Sequence, residues 1–458
     1  MAHLGKQAIV IGASMGGLLA ARALADYYDE VTVLERDVLP KAYEPRKGVP
    51  QGRHAHGLLA RGREILEQWF PGFTDEMIAQ GAVTGDVVHD GLWFNHGVYL
   101  NNVPSKLSGL GLSRPMLEGG VRRRLMQTPN VQVREQCDVL EPVFGREPSR
   151  MTGVRVRDRG DSNATEIISA DLIVDASGRG SPSPGWLSTF GYSEPREEQI
   201  KINLGYMTRL YRRLPEHLEQ HLHGKRFVIS AACEPHWRFG ALLGQEGDRW
   251  IVTLGGYLGD QVPTSDSGFL EFAHSLPKPE IFNVINNAEP LSSPTPYLFN
   301  ASLRRHYEEL SRFPDGFLIY GDALCSFNPV FGQGMTVACM QSLALRDCLE
   351  KGQEGVAKRF FRAASRLIDI PWQIAVGSDL QNSRVEGRRT MQVRFINWYI
   401  AKFFRAAQHD GVLATKFLEV ANLIEQPASL MSPGIALLVW KGNRRAVRSS
   451  PASAAPMT

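Results

Sequence analysis

Cysteine is scarce, net charge is small and long apolar runs are missing, and each shortage removes a class of protein. No stretch of the 458 residues approaches the roughly 18 to 20 apolar residues of a membrane span. The five cysteines (Cys137, Cys233, Cys325, Cys339, Cys348) are odd in number, widely spaced and without a C-x-x-C pair. That argues against a disulfide framework, a zinc site or a redox dithiol and reads as reduced thiols in a cytoplasmic protein. A formal charge of +3 with 22% charged residues, and no Lys/Arg run of nucleic-acid type, leaves small ligands as the expected partners. The apolar segment Ala8–Ala25 carries glycines at turn spacing and no basic leader, so it does not read as a signal sequence.

What is present begins with "VIGASMGGLLAARAL". Gln7–Ile11 suits a buried parallel strand, Gly17–Ala25 a helix and Val31–Glu35 a second strand, a βαβ opening. In the dinucleotide fingerprint G-x-G-x-x-G, the first glycine permits the turn, the second the approach of pyrophosphate and the third close helix packing. Gly12 and Gly17 keep the outer roles, while Ser14 replaces the middle glycine with a small hydroxyl able to donate to a phosphate. Glu35 stands at the spacing of an acid for ribose hydroxyls. FAD and NAD both fit so far. "LIYGDALCSFNPVFGQGMTVACMQSLAL" separates them: Asp322 follows a strand, and a Pro/Gly-rich loop then leads to a helix near Met335. An acceptor for a polyol hydroxyl beside a positive helix end suits the ribityl chain and N1–C2=O edge of a flavin.

Taken together, Gly12/Ser14/Gly17, Glu35, "IVDASGRGS" and "GDALCSFNPVFGQGMT" resemble the single-component FAD monooxygenases of the p-hydroxybenzoate hydroxylase fold. "RKGVPQGRHAHGLL" and "NPVFGQGMTVA" look nearest to bacterial polyene epoxidases of polyether biosynthesis, with squalene epoxidase a more distant relative. The resemblance implies pyrophosphate contacts at Ser14, Met15 and Gly16, a ribose contact at Glu35 beside Arg36, and an adenine contact near Val139. It implies a ribitol contact at Asp322 and ring contacts at Pro329, Gly332, Gln333, Gly334 and Met335. Arg114 matches an arginine that reaches the phosphates or ribityl chain, against the alternative of a surface cation; Arg53 matches an FAD-contacting arginine, and His54 could touch FAD or substrate. His54 and His56, two apart, would point to opposite faces if extended, so no metal is expected.

The resemblance implies an α/β fold: a Rossmann-like FAD-binding domain (1–85, 111–185 and 300–350), an inserted, mainly antiparallel sheet for substrate (86–110 and 186–299), a helical region (351–445) and a disordered tail (446–458). Trp93, Phe94, Tyr206, Met207, Trp237 and Phe239 are pocket candidates, though alternation lets only half of any strand line a pocket and ordinary core packing is the rival reading. The implied activity is transfer of one oxygen of O₂, through a flavin C4a-hydroperoxide, to an alkene or electron-rich ring of a hydrophobic natural product, with no protein acid or base required. Where family hydroxylases show Asp-Gly after the "IVDASG" strand, this chain has Ser177-Gly178, so NAD(P)H would act directly or through a separate flavin reductase. The rivals are a flavin halogenase, whose W-x-W-x-I-P "PHWRFGAL" does not match, a flavin reductase of isoprenoid double bonds, and an FAD-holding redox sensor. Residues 355–408 read as helical with apolar and basic faces, suiting either packing on the body or a membrane or partner contact.

Overall fold

The computed structural model describes residues 3–145, 149–160 and 164–449; the expected disordered tail lies, from residue 450 on, outside the described residues. The chain divides into two compact units: 1–82, 110–203 and 299–376 form the first, and 83–109, 204–298 and 377–458 the second. Strands Arg196–Arg212 and Thr295–His306 each start in one unit and finish in the other. The helices after residue 350 are divided as well, Val356–Asp379 crossing the boundary.

The first unit is built on a five-stranded parallel sheet. Strand β1 (Gly5–Ile11) lies at its centre, its last four residues buried on both faces. Such runs of β-branched and small apolar residues are what a sheet covered on both sides selects. Helix α1 (Met15–Leu24) follows, then strand β2 (Tyr28–Leu34). The spatial order is Phe317–Ile319, Leu172–Asp175, β1, β2, Val131–Arg134, every neighbouring pair parallel. The two strands latest in the chain lie on one side of β1 and the two earlier ones on the other, so the order reverses beside β1, where open α/β sheets take their ligands at the carboxyl ends of the strands. An antiparallel meander, Cys137–Phe144, Met151–Asp158 and Thr165–Ser169, is inserted before the strand Leu172–Asp175.

The second unit carries antiparallel strands Arg238–Gln245 and Arg249–Gly256, the latter paired with the end of Arg196–Arg212. Strand Phe227–Ser230 joins them and pairs in parallel with Gly91–Asn95. The segment "FVISAACEPHWRFGALL" forms two strands: residues between Ser230 and Arg238 leave the sheet, and Trp237 has a φ of 53°. One face packs on helices Asp266–His274 and Glu280–Ile285. Gly240 makes room there, since a Cβ would lie 2.7 Å from Leu276 and Ile281 side chains. Among the described residues no helix is long and apolar enough to cross a membrane.

Candidate functional site

The turn between β1 and α1 is fixed by two glycines. Gly12 has a φ of 100°, and a Cβ on Gly17 would lie 1.7 Å from the Gly12 carbonyl oxygen, so the outer positions of the fingerprint do what the sequence assigns them. Ser14 occupies the N-cap of α1 in extended geometry, but its hydroxyl makes no cap hydrogen bond. It donates to Glu118 (3.1 Å) and accepts from Arg114 Nη2 (2.8 Å). With no acidic residue in its first turn, α1 points an uncapped positive end out of the sheet's carboxyl edge.

Glu35, at the end of β2, is buried. It accepts from the Ala13 N–H (2.8 Å) and the Asp37 N–H (3.0 Å) and pairs with Arg46 (3.0 Å). Arg46 also meets Asp37 (3.1 Å) and Glu118 (3.0 Å), and Glu118 in turn holds Arg114 (3.0 Å). Arg114 is therefore not a surface cation: it is buried at the start of helix Arg114–Leu125, whose N-cap Ser113 accepts from Met116 N–H. The two guanidiniums hold the Glu118 carboxyl below its ordinary pKa, although burial opposes them. Sequence reading missed Arg46, Asp37 and Glu118. Only Glu118 had a local signal, its i+4 spacing from Arg114 on one helix.

Asp322 follows the strand Phe317–Ile319 in a short 3₁₀ turn. Burial raises its pKa, with Arg114 and Arg179 acting against the shift, yet its side chain is open to solvent. Asp322 thus presents an exposed carboxylate beside protein groups that disfavour its charge. The Gly321 turn touches the start of α1, a Cβ on Gly321 lying 3.9 Å from Gly16 Cα. Its backbone is fixed by the Gly321 N–H donating to Gln341 Oε1 (2.9 Å), on the long helix Gly334–Leu349. That helix also has no side-chain cap and no acid in its first turn, and a Cβ on Gly334 would stand 3.7 Å from Asp322 Oδ1. Gln333, just before it, is buried with its Oε1 lacking a hydrogen-bond partner. Pro329 is exposed, Gly332 half-buried with a φ of 64°, and Met335 buried.

The loop "RHAHG" meets this turn: a Cβ on Gly332 would lie 3.7 Å from the Gly57 carbonyl oxygen. His54 is buried and His56 half-buried. Burial, with help from Arg53, lowers the His54 pKa to about 4; burial and then Arg114 lower that of His56 to about 3. Both rings are neutral at pH 7. Arg53 and Arg36 are exposed. Val139 lies half-buried on the first meander strand, two residues beyond Cys137, whose N–H donates to Glu35 O (2.9 Å). The first unit thus collects at one sheet edge two uncapped helix N-termini, an arginine and a wetted carboxylate, a donor and acceptor set that fits an extended dinucleotide. Asp175 is committed elsewhere: its carboxylate accepts from Ser177 N–H (2.9 Å) and from the hydroxyls of Ser177, Ser181 and Ser183.

The six pocket candidates lie in the second unit and divide between two faces. Tyr206 and Phe239 both register with Gly255, whose Cβ would strike the Phe239 ring and the Tyr206 Cβ, and Trp93 follows on the same face through Ile229 and Ala241. Met207 and Phe94 point the other way. Met207 is part of the core under the two helices, and Phe94 stacks edge-on with Tyr99 (5.5 Å); Tyr206, Trp237 and Phe239 are buried as well, and Trp93 is half-buried. Trp237, just outside the strand, meets Tyr257 edge-on at 6.2 Å.

No protein-family model matches the chain. Protein Rv3254 of Mycobacterium tuberculosis is 34% identical over 430 residues, spanning 91% of this chain and 90% of that protein. Among solved structures, a flavoprotein/dehydrogenase from Cytophaga hutchinsonii matches with a TM-score of 0.67 at 15% identity, over 97% of this chain and 99% of its own. The flavin-dependent brominase Bmp2 matches with a TM-score of 0.66 at 14% identity, over 97% and 99%. PqsL of Pseudomonas aeruginosa, a probable FAD-dependent monooxygenase, matches with a TM-score of 0.60 at 16% identity, over 81% and 96%. At such identities the likeness shows the fold, a parallel-sheet α/β body with an antiparallel sheet and C-terminal helices, as the sequence led one to expect.

Proposed function

The chain belongs to the family of the mycobacterial Protein Rv3254, and we propose that it is an FAD-dependent monooxygenase adding one oxygen atom of O₂ to an alkene or an electron-rich aromatic ring of a hydrophobic small molecule. Asp322 carries the reading: an exposed carboxylate beside the uncapped start of the Gly334 helix, on a turn that meets the uncapped start of α1. Bound FAD would supply the redox chemistry with O₂. The residues of the chain bind, orient and shield it. The α1 N-terminus at Ser14, Met15 and Gly16, with Arg114, would hold the pyrophosphate, Glu35 and Arg36 the ribose, and Val139 the adenine. Asp322 would accept from the ribityl chain, with Arg53 and His54 beside it. The segment Pro329–Met335 would present its N–H groups and the positive end of the Gly334 helix to the N1–C2=O edge, stabilising negative charge there.

The full engagement of Asp175, and Ser177-Gly178 in place of Asp-Gly, favour electrons from NAD(P)H through a separate reductase. The aromatic face of Trp93, Tyr206 and Phe239 supports a hydrophobic substrate, and the epoxidase resemblance of residues 46–59 and 328–338 supports an alkene.

Purified chain is expected to be yellow and to release FAD, not FMN, on denaturation. Titrated with FAD and followed by flavin fluorescence, Asp322→Ala should bind about tenfold or more weakly, the loss of one charge-assisted hydrogen bond. Folded chain that refuses FAD, or an Asp322→Ala variant that binds it equally well, refutes the reading. O₂ uptake stimulated by a polyene or a phenol separates an oxygenase from a reductase.

A further inference from the structure

Two helices of the second unit, Met391–Ala407 and Pro433–Ser449, pack on one another, and each leaves large apolar side chains open to solvent. They are joined closely: a Cβ on Gly442 would lie 2.6 Å from Ala406 Cβ, and Asn443 Nδ2 donates to Lys402 O (2.9 Å). The inner side of the first helix is well filled, with Phe403 and Phe404 buried and Phe404 edge-on to Phe417 at 4.7 Å. Its outer side is not. Met391, Phe395 and Trp398 recur at helical spacing with 88%, 54% and 58% of their surface open, and Leu437 and Trp440 on the second helix are 48% and 51% open. Single exposed apolar residues are ordinary, but five on two adjoining helices, two of them tryptophans, are a patch.

The two helical stretches carry charge of one sign: residues 387–409 hold five Lys/Arg and no Asp or Glu, and residues 426–444 hold two and none, in a chain whose acids and bases otherwise nearly balance. Along the first helix the apolar stripe continues into Lys402 and Arg405; along the second, Trp440 leads to Arg444, whose guanidinium lies 3.9 Å from the indole centre. Neither helix can span a bilayer. Apolar and tryptophan residues on one side with lysine and arginine beside them is the composition of a helix that lies in the plane of a membrane interface.

We propose that this two-helix face docks on an anionic lipid bilayer, the aromatic and apolar side chains entering the headgroup region and the cations meeting lipid phosphates. A second copy of the chain fits the face poorly, because pairing it with itself would set cations against cations without a carboxylate to compensate. The inference stands on the C-terminal helices alone and does not depend on the flavin reading.

The test is sedimentation of the full-length chain with vesicles of phosphatidylcholine, with and without phosphatidylglycerol, alongside tryptophan emission. Expected are binding to the anionic vesicles only, a blue shift, and release as NaCl rises from about 0.05 to about 0.5 M. The double variant Trp398→Ala/Trp440→Ala should lose about tenfold or more in partitioning, and Arg394→Gln/Lys441→Gln should lose anionic selectivity. Circular dichroism checks that both remain folded. Equal sedimentation of wild type and tryptophan variant, indifference to lipid charge, or a dimer in ultracentrifugation that the tryptophan variant abolishes would overturn the proposal.

Discussion

Replacing Glu118 with glutamine asks how much one buried carboxylate does for the turn that would receive the pyrophosphate. Glu118 meets Arg46 at 3.0 Å and Arg114 at 3.0 Å, and accepts from Ser14 Oγ at 3.1 Å; all three charged side chains are 6 or 7% exposed. The amide keeps the shape and removes the charge. Arg46 retains Glu35 and Asp37, so the guanidinium stripped of its counter-ion is Arg114. Breaking a buried pair and leaving one charge uncompensated costs about 3 to 5 kcal/mol, and the retained hydrogen-bond acceptor points to the lower end, about 3 kcal/mol. For 458 residues at about 2.1 cal/mol/K of unfolding entropy each, that loss lowers Tm by about 3 °C. Urea and thermal unfolding of the flavin-free chain, followed by far-UV circular dichroism, measure it. A loss below about 1 kcal/mol, or an equal loss when Arg46→Met and Arg114→Met are already present, refutes the account, since the cost must vanish with the charges that create it.

Two further outcomes follow from burial and register. Because burial holds the folded His54 pKa near 4 against an ordinary 6.5, the unfolded chain takes up this proton first as pH falls. Stability should be complete above pH 6.5 and decline toward pH 4; His54→Gln should flatten denaturation midpoints across that window, and an unchanged slope counts against it. Met207→Ala should cost about 2 to 5 kcal/mol, as a truncation in a packed core; Tyr206→Ala, also at a buried ring, should cost stability too, yet leave flavin content unchanged and shift which substrates stimulate O₂ uptake. Loss of flavin in Tyr206→Ala, or an unchanged substrate range, would show that the two faces of the strand do not divide as register indicates.

The parallel strands, the helix after Gly12, and the helix at Gly334 were legible in sequence because they are local: apolar runs, turn glycines and periodicity are read over ten residues or so. Ser14 and Asp322 were legible as polar residues beside such turns, whereas Arg114 was implied by the family resemblance alone, and nothing local says that the Ser14 hydroxyl would turn to Glu118 and Arg114. Pairing across 100 residues of chain is settled by the strand order that brings the Arg114 helix against α1, and only tertiary packing could recruit Arg46, Asp37 and Glu118 into one buried lattice. The division of Tyr206 from Met207 was half foreseen, since alternation requires neighbouring residues to part; which of them enters the core depended on where the two covering helices lie. Sequence determined the fold class, and the strand–turn–helix pattern around Asp322, through short-range backbone and burial preferences. Tertiary structure decided which charges compensate one another and which aromatics stay open to solvent, because burial is a property of distant segments brought together.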